Sequence, residues 1–230
     1  MLASYRYAAE SDGTNVDVDA GMDVGPTVGF AYNFAGNLVK LGIAGKAIVR
    51  NQLKGVYAHA TLPDEAGIAS LSKEGWGVGA DAGLLITLPS KFLPSVGLAW
   101  RDMFGTYFRR SNILNGRATE TPDKIPQSVN AAFSVHPWID RMLRSTIVFE
   151  MRHIERVDWP LSKKLHFGIQ LEDAQTFYVW AGLNQLYPTA GVALRLRGGN
   201  LELGSYATDI GEGETRRSDR RFFIRYTISF

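Results

Sequence analysis

The last eleven residues, Arg220 to Phe230, most constrain the fold because most of their side chains alternate between two kinds. One face of a strand built from them is apolar, and the other carries charged and hydroxyl groups. The chain then ends on an aromatic ring, which in an outer-membrane strand lies in the interfacial girdle with its carboxylate in water. We predict a closing strand of a membrane β-barrel; the alternative is an amphipathic edge strand of a soluble sheet.

This ending resembles the C-terminal recognition signal of bacterial outer-membrane proteins. Tyr226, Ile228 and Phe230 occupy its apolar places, and Arg225 stands where that signal prefers glycine. The resemblance implies that these three residues form a membrane-insertion signal. Phe230→Ala, or deletion of residues 228–230, should then lower the amount of folded protein in outer membranes.

Composition restricts the class of protein further. The 230 residues contain no cysteine and carry a formal net charge of +2, which exclude disulfides and thiolate metal sites and predict no nucleic-acid partner. No apolar run approaches the roughly 18 residues that a transmembrane helix needs, so a membrane protein of this sequence would be a barrel. We expect one domain, residues 1–230. The first residues do not have the pattern of a signal peptide, so an exported protein would here be numbered in a mature or truncated form.

Period-two alternation predicts about twelve strands, with a range of 12 to 14, in one closed antiparallel transmembrane β-barrel. Their predicted bounds are 2–9, 25–34, 38–50, 75–88, 94–108, 125–136, 142–154, 163–172, 175–184, 188–197, 200–209 and 220–230.

The predicted connections alternate in length, as periplasmic turns and extracellular loops of outer-membrane barrels do. The short ones are 35–37, 89–93, 137–141, 173–174 and 198–199. The long ones are 10–24, 51–74, 109–124, 155–162 and 209–219, and only the short 185–187 breaks the pattern.

Closure geometry decides which face of these strands meets lipid. About eight strands make an interior that side chains just fill, so a twelve-stranded barrel with an apolar interior would be left unfilled. We therefore expect the apolar face to lie outward and the polar face to line a wet lumen. The predicted lumen-lining residues are Lys40, Lys46, Arg50, Asp81, Arg101, Arg144, Glu150, Arg152, Arg195, Arg197, Glu202, Arg221 and Arg225.

Two interpretations of this polar set remain open. The charges can form a cross-strand ion-pair ladder that closes the lumen. They can also line a pathway whose basic residues favour anionic or amphipathic solutes such as fatty acids.

Aromatic residues near the strand ends predict two interfacial girdles. Phe34, Phe92, Trp138 and Phe230 would form the periplasmic one, and Trp76, Tyr107, Trp159 and Tyr187 the outer one.

Several stretches resemble the FadL-like outer-membrane proteins: LVKLGIAGKAIVR, GWGVGADAGLLITLP, KIPQSVNAAFSV, YPTAGVALRL and the final RRFFIRYTISF. Members of that superfamily are fourteen-stranded barrels with an N-terminal plug that carry hydrophobic compounds across the outer membrane. This sequence begins almost directly in a predicted strand and has about twelve. The resemblance implies a scaffold and supplies no active-site signature.

The four histidines are candidates for catalysis, because some twelve-stranded outer-membrane barrels are hydrolases. His136 falls at a predicted periplasmic turn, His153 near an outer strand end, His59 in a long loop, and His166 is predicted near the periplasmic end of its strand. No Ser-His-acid order, Gly-x-Ser-x-Gly motif or paired-histidine metal spacing occurs. We predict no catalytic residue, metal or cofactor.

Three classes of function follow, all in the bacterial outer membrane. The first is a FadL-like transporter or channel for small hydrophobic, amphipathic or anionic solutes, and the second is a non-transporting barrel that anchors a surface assembly. The third, a hydrolase, is the least expected. The predicted partners are outer-membrane lipids, the barrel-assembly machinery, a fatty acid or other amphipathic ligand, and other envelope proteins.

Overall fold

The computed structural model describes residues 2–11, 14–58, 71–118, 120–140, 142–173, 176–196, 199–211 and 215–228. Fourteen strands make up most of this part of the chain: β1 (Leu2–Ser11), β2 (Asn15–Gly25), β3 (Thr27–Phe34), β4 (Val39–Ala58), β5 (Lys73–Thr87), β6 (Ser95–Arg101), β7 (Phe108–Arg110), β8 (Ser128–Val135), β9 (Leu143–Met151), β10 (Leu165–Asp173), β11 (Phe177–Asn184), β12 (Tyr187–Leu196), β13 (Gly199–Asp209) and β14 (Ser218–Ile228). The described helical elements include a 3-10 turn at Ala35–Asn37 and a short helix, α1 (Leu161–Lys164).

The fold is all-β, and its strands form an antiparallel sheet. Hydrogen bonds order twelve of them as β1-β2-β4-β5-β6-β8-β9-β10-β11-β12-β13-β14, while β3 pairs with β4 and β7 pairs with β5. Consecutive strands are therefore neighbours, as in an up-and-down meander. Among the described residues the first and last strands of this order do not pair with each other.

The contacts divide the chain into two compact units. The first comprises Met1–Ala31, Gly42–Ala82 and Trp100–Gln127, and the second comprises Tyr32–Leu41, Gly83–Ala99 and Ser128–Phe230. In the first, β2 pairs with β1 on one side and with the C-terminal half of β4 on the other. In the second, each strand from β8 to β14 pairs with the next.

Burial along these strands is inverted relative to a water-soluble sheet. The largest fully buried side chains are Glu74 and Thr106, whereas Phe222 and Ile224 are 79% and 78% exposed. Along β10 the exposed residues are Phe167 and Ile169, and their polar neighbours are less exposed. A water-soluble protein seldom exposes apolar residues in such continuous rows. The apolar face predicted from the alternation is therefore the exposed face.

The strand predictions agree with the structure within a few residues for most elements, and three differ. The loop predicted at 10–24 contains β2, whose small and acidic residues conceal the alternation of Val16 and Val18. The loop predicted at 51–74 begins with the end of β4, and residues 59–70 lie outside the described part. The strand predicted at 94–108 is interrupted between β6 and β7.

Two of the connections predicted to be short lie where expected, because the turns at 35–37 and 88–94 each join two strands. The one predicted at 137–141 falls between β8 and β9, and its residue 141 lies outside the described part. Of those predicted at 173–174 and 198–199, Asp173 and Gly199 belong to strands, and residues 174 and 198 are not among the described ones. Of the connections predicted to be long, the one between β7 and β8 is confirmed, but the β1–β2 connection is a short hairpin because β2 occupies most of the predicted loop.

The connection after β7 is folded around one carboxylate, that of Glu74. Its Oε1 accepts hydrogen bonds from the backbone N–H of Ile113 (2.5 Å) and from the Ser111 hydroxyl (3.0 Å). The backbone N–H groups of Leu114 and Asn115 also donate to this carboxylate. A buried charge is tolerated when its lone pairs are satisfied in this way. Glu74 therefore fixes the path of residues 111–115.

Among the predicted girdle aromatics, Phe34, Phe92, Trp138, Trp76 and Tyr107 are exposed. Trp159 and Tyr187 are less exposed, because Arg156 lies over the ring of Trp159 and Arg216 over that of Tyr187. Phe230 lies outside the described residues.

Candidate functional site

Most of the predicted lumen-lining cations form ion pairs, and we define the first group as the Lys46 cluster. The Lys46 Nζ lies 3.0 Å from Oδ1 of both Asp81 and Asp102. Thr106 donates its hydroxyl to Asp102 (2.6 Å), and the backbone N–H of Asp102 donates to Asp81 (2.7 Å). A Cβ at Gly79 would collide with the Thr106 hydroxyl. The cluster is closed in the sense that the Lys46 side chain is only 12% exposed and its charge is satisfied by two carboxylates.

A second pair in the first unit joins adjacent strands. Asp23 of β2 and Arg50 of β4 are directly opposite in register, and Arg50 Nε and Nη2 each lie 2.7 Å from an Asp23 oxygen. The guanidinium also lies over the ring of Phe108, 5.1 Å from its centroid. This two-point geometry is the strongest that an arginine and a carboxylate can adopt.

The second unit repeats the pattern of cross-strand pairing. Glu202 and Arg225 are directly opposite on β13 and β14 and are 3.3 Å apart. Arg195 forms an ion pair with Glu172. These contacts favour the ladder interpretation of the predicted lumen charges for this part of the protein.

The other predicted lumen residues have different surroundings. Arg144 is exposed and lies over the ring of Trp138, 4.5 Å from its centroid, and Arg221 pairs with Asp219 on its own strand. Lys40 and Arg101 are exposed, and neither has an ion-pair partner within the described ranges. Arg197 falls outside the described residues.

An open cavity of about 610 Å³ lies in the second unit, among α1, the C-terminal ends of β9, β11 and β13, and the N-terminal ends of β10 and β12. This volume is within the range of small-molecule sites. Its walls combine two cations, one carboxylate, two histidines, aromatic rings and amide or hydroxyl groups: Arg152, His153, Trp159, Lys163, His166, Trp180, Asn184, Gln185, Thr189, Tyr206, Thr208 and Asp209.

Two cations give the cavity its charge. Arg152 pairs with Glu150 at 2.7 Å but remains 48% exposed at its side chain, so it has donors left over for a ligand. Lys163 is buried at the end of α1 and donates one hydrogen bond to the Gly211 carbonyl (2.6 Å). An ammonium has three donors, so Lys163 keeps donor capacity as well.

His153 is held firmly at the cavity wall. Its backbone has a φ of +53°, uncommon for a residue with a side chain, and its N–H donates to Asn130 Oδ1 (3.0 Å). Its Nδ1 lies 3.3 Å from Glu155 Oε1, and its ring packs on Trp159. Burial raises the pKa of Glu155, but hydrogen bonds, the first from the Val129 N–H, outweigh this and hold that pKa below its usual range.

His166 lies at the other side of the cavity, with its Nδ1 2.7 Å from Asn184 Oδ1. It is the second residue of β10, next to the long connection that contains α1. Its expected position near the periplasmic end of the strand stays a prediction.

Asp209 organises the loop beside the cavity. Its Oδ1 accepts hydrogen bonds from the N–H groups of Gly211 and Arg217, both at 3.0 Å. Its buried Oδ2 has no hydrogen-bond partner among the described residues, and Arg216 Nε lies 3.6 Å away at ion-pair distance.

Sequence reasoning identified Arg152 but missed most of the cavity wall. Asp23 and Asp102 were missed because the first was predicted in a loop and the second lies in the interruption between β6 and β7. One signal in the sequence could have indicated Lys163 as a residue at a strand end: it stands two residues before the apolar alternation of β10 begins.

Comparisons with family models, with curated proteins and with solved structures find no match. No helix in the described ranges is long and apolar enough to cross a membrane. The same residues contain no group of three histidine or carboxylate side chains that could hold a metal ion.

Proposed function

We propose that this protein is a bacterial outer-membrane β-barrel of twelve strand positions that admits small amphipathic anions, in the manner of FadL-like transporters. The cavity carries the proposal. It offers Arg152 and Lys163 to a carboxylate or similar head group, and the rings of Trp159, Trp180 and Tyr206 to an apolar tail. This mixture of an apolar wall with a few convergent polar groups is typical of ligand sites.

The exposed apolar rows support the membrane part of the proposal. In lipid, hydrocarbon solvates these rows. In water, exposing them would cost roughly 25 cal/mol of free energy per Å² of apolar surface. Twelve strand positions result if β2 with β3, and β6 with β7, each count as one interrupted strand. Closure then requires β1 to pair with β14, since unpaired edges are not stable in hydrocarbon.

Closure can be tested by disulfide cross-linking, because the sequence has no cysteine that could form a competing disulfide. Ser4→Cys is combined in turn with Phe223→Cys, Arg225→Cys or Thr227→Cys in the folded protein. One of these pairs should cross-link, whereas Ser4→Cys with Asp219→Cys, at the far end of β14, should not. No cross-link in any folded variant would contradict closure.

Solute binding is tested with two probes that share a tail, dodecanoate and 1-dodecanol, added to the full chain in detergent. We expect dodecanoate to bind more tightly, because only it has a charge for the two cations. Arg152→Ala together with Lys163→Met should weaken dodecanoate binding by about tenfold or more and change dodecanol binding little. Arg144→Ala is the matched control, because it removes an exposed cation at the other end of β9 that is not part of the cavity wall.

Transport is measured separately, as uptake of dodecanoate into proteoliposomes. Uptake that follows binding would support the transporter. Binding with no uptake and no ion conductance would favour the second candidate, a non-transporting barrel that anchors a surface assembly. The specific observation for that candidate is the ion pairing of Lys46, Arg50, Arg195 and Arg225, which occupies charges that a pathway would use.

A further inference from the structure

The hydrogen bonds around His166 fix the tautomer of its neutral imidazole ring. Asn184 Nδ2 donates to the Ala207 carbonyl (2.6 Å), which can only accept. The amide oxygen of Asn184 therefore faces the histidine, with Oδ1 2.7 Å from Nδ1. Because an amide oxygen has no proton to donate, Nδ1 must carry the proton of the neutral ring. Nε2 of His166 is left with a lone pair.

This nitrogen is an acceptor that a solute can reach. Nε2 has no hydrogen-bond partner in the described ranges, where the only buried side-chain atom without a partner is Asp209 Oδ2. Nε2 is therefore accessible, and the ring that carries it forms part of the cavity wall. An unpaired acceptor in a small-molecule site favours solutes that offer it a donor.

The second histidine of the cavity wall has the same arrangement. His153 Nδ1 lies 3.3 Å from Oε1 of Glu155, whose ionised carboxylate can only accept. In its neutral form this ring also carries its proton on Nδ1, and its Nε2 has no partner among the described residues. The cavity thus offers neutral acceptors in addition to its two cations.

His166 and the cation Arg152 are close neighbours across β9 and β10. His166 is directly opposite Glu150, and the Arg152 N–H donates to the Lys164 carbonyl (2.9 Å), so the ladder continues beyond β9. Arg152 and His166 are therefore diagonal neighbours on one face, a relation that separates side chains by about 7–8 Å. A solute whose acid group lies at Arg152 would bring the carbons next to that group alongside His166.

We propose that the cavity selects amphipathic carboxylates that carry a hydroxyl group on the second or third carbon, and that this hydroxyl donates a hydrogen bond to His166 Nε2. The inference rests on the binding of amphipathic anions proposed above and narrows the class of solute. Arg152 and Lys163 attract any acid group. A plain alkyl chain leaves the His166 lone pair without a donor, and a site of this kind discriminates against a solute that lacks its hydrogen-bonding group.

The test measures binding of dodecanoate, 2-hydroxydodecanoate and 3-hydroxydodecanoate to the full chain in detergent, at about pH 8, where imidazoles are mostly neutral. We expect at least one of the hydroxy acids to bind about fivefold or more tightly than dodecanoate. The methyl ether of that hydroxy acid is the matched probe. It should show no such gain, because its oxygen accepts but cannot donate.

Two variants assign the effect to His166. His166→Phe should reduce the ratio of hydroxy-acid affinity to dodecanoate affinity to about one, because the new ring has no acceptor. His136→Phe is the matched control and should keep the ratio, since His136 bonds to Ser134 and Thr146 and is not part of the cavity wall. Nitrogen-15 NMR of histidine-labelled protein should show His166 protonated at Nδ1 only, with His166→Phe identifying the signal.

The outcomes separate this inference from the proposed function. Dodecanoate binding with no gain from either hydroxyl group would overturn this inference alone, as would a His166 ring protonated at Nε2 in the unliganded protein. A gain that persists in His166→Phe would overturn the role of His166. Failure of every probe to bind would overturn the proposed function and this inference with it.

Discussion

The Lys46 cluster and the cavity use the same kinds of side chain to opposite effect. In the cluster, Asp81 and Asp102 both lie within 3.0 Å of the ammonium, and Thr106 donates its hydroxyl to Asp102. In the cavity, Arg152 and Lys163 each keep unused donors beside about 610 Å³ of open space. Ionic groups thus satisfy one another in the cluster, whereas those of the cavity keep donors for the anionic solute that we propose.

The largest predicted effect is the loss of stability on substitution of Lys46 in the Lys46 cluster. Lys46→Met should lower the free energy of unfolding by about 3–5 kcal/mol, because it leaves two carboxylates side by side without their cation. Urea unfolding in detergent measures this change. Lys40→Met, the exposed control, should shift stability by at most about 0.5 kcal/mol. Equal effects of the two substitutions would mean that the cluster is solvated rather than closed.

Asp23→Asn should have the next largest effect. It removes the charge from the two-point pair with Arg50, a loss of about 1.5–3 kcal/mol for hydrogen bonds to a charged group. Asp219→Asn removes an exposed pair with Arg221 and should cost at most about 1 kcal/mol. Urea midpoints of the two variants give the comparison, and the reverse order would contradict the structure.

Arg152→Ala should behave in the opposite way to Lys46→Met. Its pair with Glu150 is half exposed, so the free energy of unfolding should fall by less than about 1 kcal/mol. Dodecanoate affinity should fall more clearly, by about fivefold or more. A large loss of stability with unchanged affinity would place Arg152 among the structural charges instead.

The smallest effect concerns pH. Glu155 has a pKa lowered in the folded protein from a reference value of 4.5, so its contribution to stability is present above pH 4.5 and disappears as the pH falls through the lower, folded value. Glu155→Gln should flatten the stability profile in that acidic window. The hydrogen bond from the Val129 N–H is the largest of the contributions that lower this pKa. Above pH 6 the stability profile of the variant should run parallel to that of the unmodified protein. A change confined to neutral pH would contradict the assignment.

Alternation was sufficient to predict most strands because one exposed apolar face has a strong period-two signal, as in β10 and β14. It failed at β2, where acidic and small residues weaken the contrast between the faces. It could not predict the cavity, because Lys163 and Trp159 belong to the connection between β9 and β10 and have no strand periodicity. The pairing of Asp23 with Arg50 depends on register, which the sequence alone leaves open.

Glu74 holds residues 111–115 mainly through main-chain amides, so the identity of the side chains there matters little to the fold. Ile113 and Leu114 point into the surroundings with much of their surface exposed. This short segment is consequently a suitable position for grafting: an epitope or fluorophore-binding tag exchanged for these two side chains would be displayed on an anchored backbone. The same tolerance would let this stretch vary in sequence while the neighbouring strands stay unchanged.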